Sequence, residues 1–87
     1  MRIEGNSFQR LNRALVDAFP SWIHLERLVR FKLNENLEVL VGRDNLDLVA
    51  FKLIQWAESQ NCLGELFAGA CEMVPGNADL LAARDEL

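Results

Sequence analysis

Apolar residues recur along this chain at intervals of three and four, the spacing that lines up one face of an α-helix. Phe8, Leu11, Leu15, Ala18 and Phe19 predict a first helix over about 7–19. Trp22, Leu25, Leu28, Val29 and Leu33 predict a second over about 22–33, and Leu37, Leu40 and Val41 a short third over about 35–41. Leu46, Val49, Ala50, Leu53, Ile54 and Ala57 give the fourth, over about 45–59. Leu63, Leu66, Phe67, Ala70, Cys71 and Val74 repeat that rhythm over about 62–74. Leu80, Ala83 and Leu87, with the polar Arg84, suggest a sixth over about 78–86. No stretch shows the strict alternation of a half-buried strand. The pattern predicts an all-α fold, a compact six-helix bundle of antiparallel neighbours joined by short loops.

Helix-breaking residues fall between these segments. Pro20 and Ser21 follow the first, and Ser21 is placed to cap the second. Gly42 closes the third, and Asp44 or Asn45 can cap the fourth. Pro75-Gly76-Asn77 is the strongest break: proline cannot extend the helix before it, and Asn77 can cap the next. No linker, repeat or low-complexity tract interrupts the 87 residues, which suit one domain over 1–87. The ending Asp85-Glu86-Leu87 lies in mid-helix without a C-cap, which suggests a chain cut from a longer protein.

Apolar residues make up 51% of the chain, enough for one modest core. No apolar run approaches the roughly 20 residues of a membrane span. Met1 to Asn6 lack the apolar stretch of a secretory signal. Cys62 and Cys71 fall in one predicted helix, about 13 Å apart along its axis, too far for a disulfide. Two free thiols point to a reducing, cytoplasmic setting. The formal net charge of −4 argues against nucleic-acid binding.

That charge is unevenly placed. Residues 1–43 carry seven basic side chains (Arg2, Arg10, Arg13, Arg27, Arg30, Lys32, Arg43) against five acidic ones, net +2. Residues 44–87 carry two basic against eight acidic ones (Asp44, Asp47, Glu58, Glu65, Glu72, Asp79, Asp85, Glu86), net −6. A molecule basic on one side and acidic on the other can stack head to tail on its own copies. Sequence halves are not spatial halves, however, and charges also spread simply for solubility.

No catalytic constellation emerges. His24 is the only histidine, and with Cys62 and Cys71 it does not make a four-ligand zinc set. Cys71 lies on the apolar face of its helix and reads as a small buried hydrophobe. Ser7, Ser21 and Ser59 have no nucleophile-elbow context, and the five glycines form no phosphate-cradling loop. A phosphopantetheine carrier needs a serine at a helix start, where this chain has Asp44-Asn45-Leu46. The basic residues of helix two make a weak case for DNA binding beside so acidic a second half. No cofactor, metal, small-molecule substrate, nucleic acid or membrane is implied.

Helix four carries apolar residues off its core face. With the core centred on Leu46, Leu53 and Ala57, Leu48 and Phe51 point largely away and Trp56 lies on the flank. Either helix four is central and packs on several sides, or these residues form an exposed binding patch. Phe31, at the end of helix two, raises the same question.

Three segments together resemble a known family. Leu11, Ala14, Leu15, Ala18, Phe19 and Pro20 open the chain as L..AL..AFP. Leu53 to Glu58 with Leu63, Glu65 and Leu66 form LI.WAE….L.EL, and Ala70, Pro75-Gly76-Asn77 and Leu80 form A….PGN..L. Their order and spacing resemble the bacterial effector-associated domains, also described as bacterial death-like domains, over about residues 8–81. Asn61 stands where a glycine is expected, a change a turn tolerates.

The resemblance implies a six-helix death-like fold without catalytic residues. It implies an adaptor that pairs with similar death-like domains, homotypically or heterotypically, and links a sensor to an effector in bacterial conflict and immune signalling. A homo-oligomer follows if the pairing is with itself. The alternative is a regulatory subunit that docks a dissimilar enzyme. The candidate interaction residues are the basic Arg10, Arg13, Arg27, Arg30 and Lys32, the acidic Asp44, Asp47, Glu58, Glu65 and Glu72, and the apolar Leu48, Phe51 and Trp56.

Overall fold

The computed structural model describes residues 5–85. Arg2, Glu4, Glu86 and Leu87, used above for charge and for the last helix, lie outside them. Among the described residues the chain forms six helices and no strand: α1 (Gly5–Ala18), α2 (Trp22–Leu28), α3 (Leu37–Val41), α4 (Leu46–Ser59), α5 (Leu63–Met73) and α6 (Ala78–Asp85). α2 runs on directly into a π-helical turn, Val29–Leu33. The breaks at 19–21, 34–36, 42–45, 60–62 and 74–77 are all three or four residues long. None of the described helices is long and apolar enough to cross a membrane.

Asparagines start three of these helices. Asn36 Oδ1 accepts from Glu38 N and Val39 N, Asn45 Oδ1 from Leu48 N at 2.9 Å, and Asn77 Oδ1 from Leu80 N at 3.1 Å. Each satisfies amides that the first helical turn leaves without partners. The cap expected of Ser21 does not form. Its backbone sits at the N-cap, but its hydroxyl pairs with His24 Nδ1 at 2.9 Å instead. Asparagine also ends helices. Asn34 closes the π-helical turn at φ 54°, and Asn61 turns the chain into α5 at φ 57°. Both are left-handed conformations that asparagine tolerates better than most residues.

One core holds the bundle. Leu11 and Leu15 of α1, Leu25 and Leu28 of α2, Leu53 and Ile54 of α4, Leu66 and Phe67 of α5, and Leu80 of α6 are all fully buried. α1 lies against α4 and α6, and α5 against α2, the π-helical turn, α4 and α6. The α1–α4 pair is antiparallel. The Phe8 ring meets Phe51 at 5.0 Å and Asn12 Nδ2 donates to Asp47 Oδ1 at 2.9 Å, so advancing along α1 means retreating along α4. Cys71 is buried in α5, Cys62 sits half-buried at its N-cap, and both thiols are free.

The π-helical turn sets what this core sees of α2. In an α-helix the residue four beyond Leu28 would return to the core face, and that residue is Lys32. The wider turn, with its i to i+5 spacing, gives the place to Leu33, which packs against the core. Lys32 is thereby displaced to the flank. Its stem crosses Gly69 of α5, where a Cβ would fall 2.6 Å from Lys32 Cγ. Its ammonium then reaches Glu72.

Candidate interaction surface

The charged candidates do not converge on one site. Arg10 and Arg13 project from α1 into a hollow shared with Asp79 of α6. Lys32 is bound to Glu72, whose carboxyl is held below the usual carboxylate range, first by the Lys32 hydrogen bond and then by its charge. Asp44 Oδ1 accepts from Asn45 N, and Asp47 accepts from Asn12. Glu58 is half-buried late in α4. Glu65 is exposed in the first turn of α5. The charge gradient along the chain is therefore partly folded away. Two basic residues of the first half share a hollow with an acid of the second, and Lys32 is paired outright.

Glu65 acts on one neighbour. The Cys62 thiol is pushed above its ordinary value by burial first, then by the negative charges of Glu65 and Glu35, against a lowering backbone hydrogen bond. A raised thiol keeps its proton and is a poor nucleophile at neutral pH.

The apolar candidates on α4 divide. Leu48 and Trp56 are half-buried, and Trp56 packs against the core. Phe51 stays 42% exposed with its ring against Phe8. Of the two readings of helix four, packing on more than one side describes Trp56 and the Phe51–Phe8 contact better than an open patch does.

A better-defined surface lies elsewhere. Ile23 is 55% exposed, Phe31 68% and Val39 81%, on α2, its π-helical turn and α3. Ile23 and Arg27 of α2 are exposed where Leu25 and Leu28 are buried, and Phe31, four residues beyond Arg27, is exposed on the π-helical turn. Glu26, Arg27, Arg30, Phe31, Glu35, Asn36 and Glu38 line one hollow between α2 and α3. Trp22 closes the far end of α2: its Nε1 donates to Glu26 at 2.9 Å, and the Arg43 guanidinium lies 5.0 Å from its ring centroid. Arg27 and Arg30 were candidates from their charge alone. Ile23, Glu35, Glu38 and Val39 were missed, although the four-residue step from Ile23 to Arg27 placed Ile23 on the solvent side. Among the described residues, no three His, Cys, Asp or Glu side chains gather as metal ligands.

The family model described as effector-associated domain 1 matches residues 1–87, the whole chain. The chain belongs to that family. No match was found among curated proteins or among solved structures. The family's description associates this effector-associated domain with effector proteins, and the α2–α3 side carries the three most exposed large apolar side chains among the described residues.

Proposed function

We propose that this effector-associated domain is a non-catalytic adaptor. It pairs with similar death-like domains and so recruits or couples effector proteins in bacterial conflict and immune signalling. The observation that carries this reading is the family match over the whole chain. Large apolar side chains held in water on α2 and α3 support it, because a chain this small has little apolar surface to leave idle. Six helices with short connectors agree with a death-like arrangement. The two free thiols suit a cytoplasmic location.

Pairing of this kind works by docking preformed surfaces. Exposed ion pairs contribute only about 0–1 kcal/mol each, so charge selects the partner and its register while a buried aromatic anchor supplies most of the affinity. The test is a binding panel by biolayer interferometry, with other effector-associated domains as ligands and unrelated helical bundles of similar charge as controls. Saturable binding to at least one family member and none to the controls is the expected result. Binding to no family member, with capture of one dissimilar enzyme, would replace pairing by regulation of that enzyme.

A further inference from the structure

Phe31 is the most exposed aromatic side chain among the described residues, and the π-helical turn helps to hold it there. The turn settles Leu33 against the core and sends Lys32 to Glu72, which leaves Phe31 on the outer side. π-Helical turns of this kind are often found at functional positions. The hollow beside Phe31 has charges of both signs, unequally divided between its two walls. On the wall of α2 and its π-helical turn, Arg27 and Arg30 outnumber Glu26, whose carboxylate accepts from the Trp22 indole; the connector and α3 bring only the acids Glu35 and Glu38.

That division bears on what fits. A uniformly acidic partner would meet Glu35 and Glu38, and a uniformly basic one would meet Arg27 and Arg30. A surface with the same two halves turned by a half-rotation matches both. Such a surface is present on every other copy of this chain.

We propose that the α2–α3 face is a self-complementary docking surface for a second copy of this chain; this assignment rests on the pairing reading above and names its surface. A two-fold axis passes near Phe31. Arg27 and Arg30 of one copy face Glu35 and Glu38 of the other, twice over, and the two Phe31 rings meet at the centre. The contact closes at two copies, since both faces are consumed, unlike the open stacking that the charge gradient along the chain suggests. A standard stable interface buries about 800 Å² per partner, a large share of this chain's surface of 5240 Å². One helix face and a five-residue helix offer less, so the dimer is weak, with a dissociation constant on the order of micromolar or above.

Sedimentation equilibrium of the full chain over a wide concentration range tests this. The expected result is a monomer–dimer equilibrium that stops at two. Phe31→Glu should weaken it at least about tenfold (about 1.4 kcal/mol), with an unchanged far-UV spectrum and melting temperature because the side chain is exposed. Arg27→Glu with Arg30→Glu should abolish self-association, as should Glu35→Arg with Glu38→Arg, and mixing the two variants should restore a one-to-one dimer. A wild-type chain that stays monomeric, assembly beyond two copies, or a dimer indifferent to these substitutions would overturn the assignment. A monomeric chain that still binds a different effector-associated domain removes this assignment and keeps the pairing function. A chain that binds neither removes both.

Discussion

Gly69 is where the π-helical turn closes on α5. A glycine inside a helix normally costs about 1 kcal/mol relative to alanine, yet here an alanine Cβ would meet the Cβ and Cγ of Lys32 at 2.7 and 2.6 Å. Those atoms are near the backbone and cannot swing away as a side-chain tip would. Gly69→Ala should therefore lower stability by roughly 1 kcal/mol or more, overpacking outweighing helix propensity, as urea denaturation will read. Glu72, at the other end of the same contact, gives a pH signature. Its carboxyl is depressed by Lys32, so its contribution is present above the ordinary carboxylate range and is lost as the pH falls through the lowered value. The melting temperature of wild type should exceed that of Glu72→Gln at neutral pH, and the difference should vanish in acid. Cys62 has the opposite sign, its thiol pushed up by burial and by Glu65 and Glu35. In a Cys71→Ala background its alkylation should be slower at neutral pH than that of a free thiol, accelerating only above the usual thiol range. At this scale the sequence was readable where chemistry is local. Asn45 and Asn77 cap as their positions suggest, and Asn61 turns as expected. The contact of Lys32 with Gly69 and Glu72 spans about 40 positions, and no local pattern announces it. Ser21 failed as a cap because His24, one turn on, offers its hydroxyl another partner.

The helices were the most legible level, because their boundaries depend on the same three-and-four spacing that builds the core. What the spacing hid was the π-helical turn. Leu28 and Leu33 are five apart, not four, and that step was the available sign of a wider turn. It went unread because Val29, four before Leu33, fits an ordinary helix equally well. The turn ends in Asn34 at φ 54°, a conformation that costs most L-residues about 1–2 kcal/mol. Asn34→Gly should leave stability unchanged or slightly raised, whereas Asn34→Val should lower it by at least about 1 kcal/mol. Loss of that stop would let the turn rewind, and hydrogen exchange should then show weakened protection over Val29–Leu33 before any other helix.

For the whole molecule, folding rearranges what the sequence lays out in order. The basic first half and acidic second half suggest a two-sided particle. In three dimensions Lys32 meets Glu72 and Arg10 and Arg13 lie beside Asp79. The charges gathered at the Phe31 hollow are Arg27 and Arg30 with Glu26 from α2 and its turn, and Glu35 and Glu38 from the connector and α3. Phe31 was visible in the sequence as a misplaced apolar residue, but the hollow beside it needs α2 and α3 together, which no one-dimensional pattern supplies. Association through this face should weaken with added salt, by a modest factor because Phe31 contributes independently of charge. The measurement that tests the central claim most directly is amide chemical-shift mapping of the labelled chain, titrated with an unlabelled effector-associated domain, its own or another. The account predicts saturable shifts concentrated at Ile23, Arg27, Phe31, Glu35 and Glu38, and their loss in Phe31→Glu. An absence of shifts with every such domain, at concentrations where weak dimers form, would contradict it.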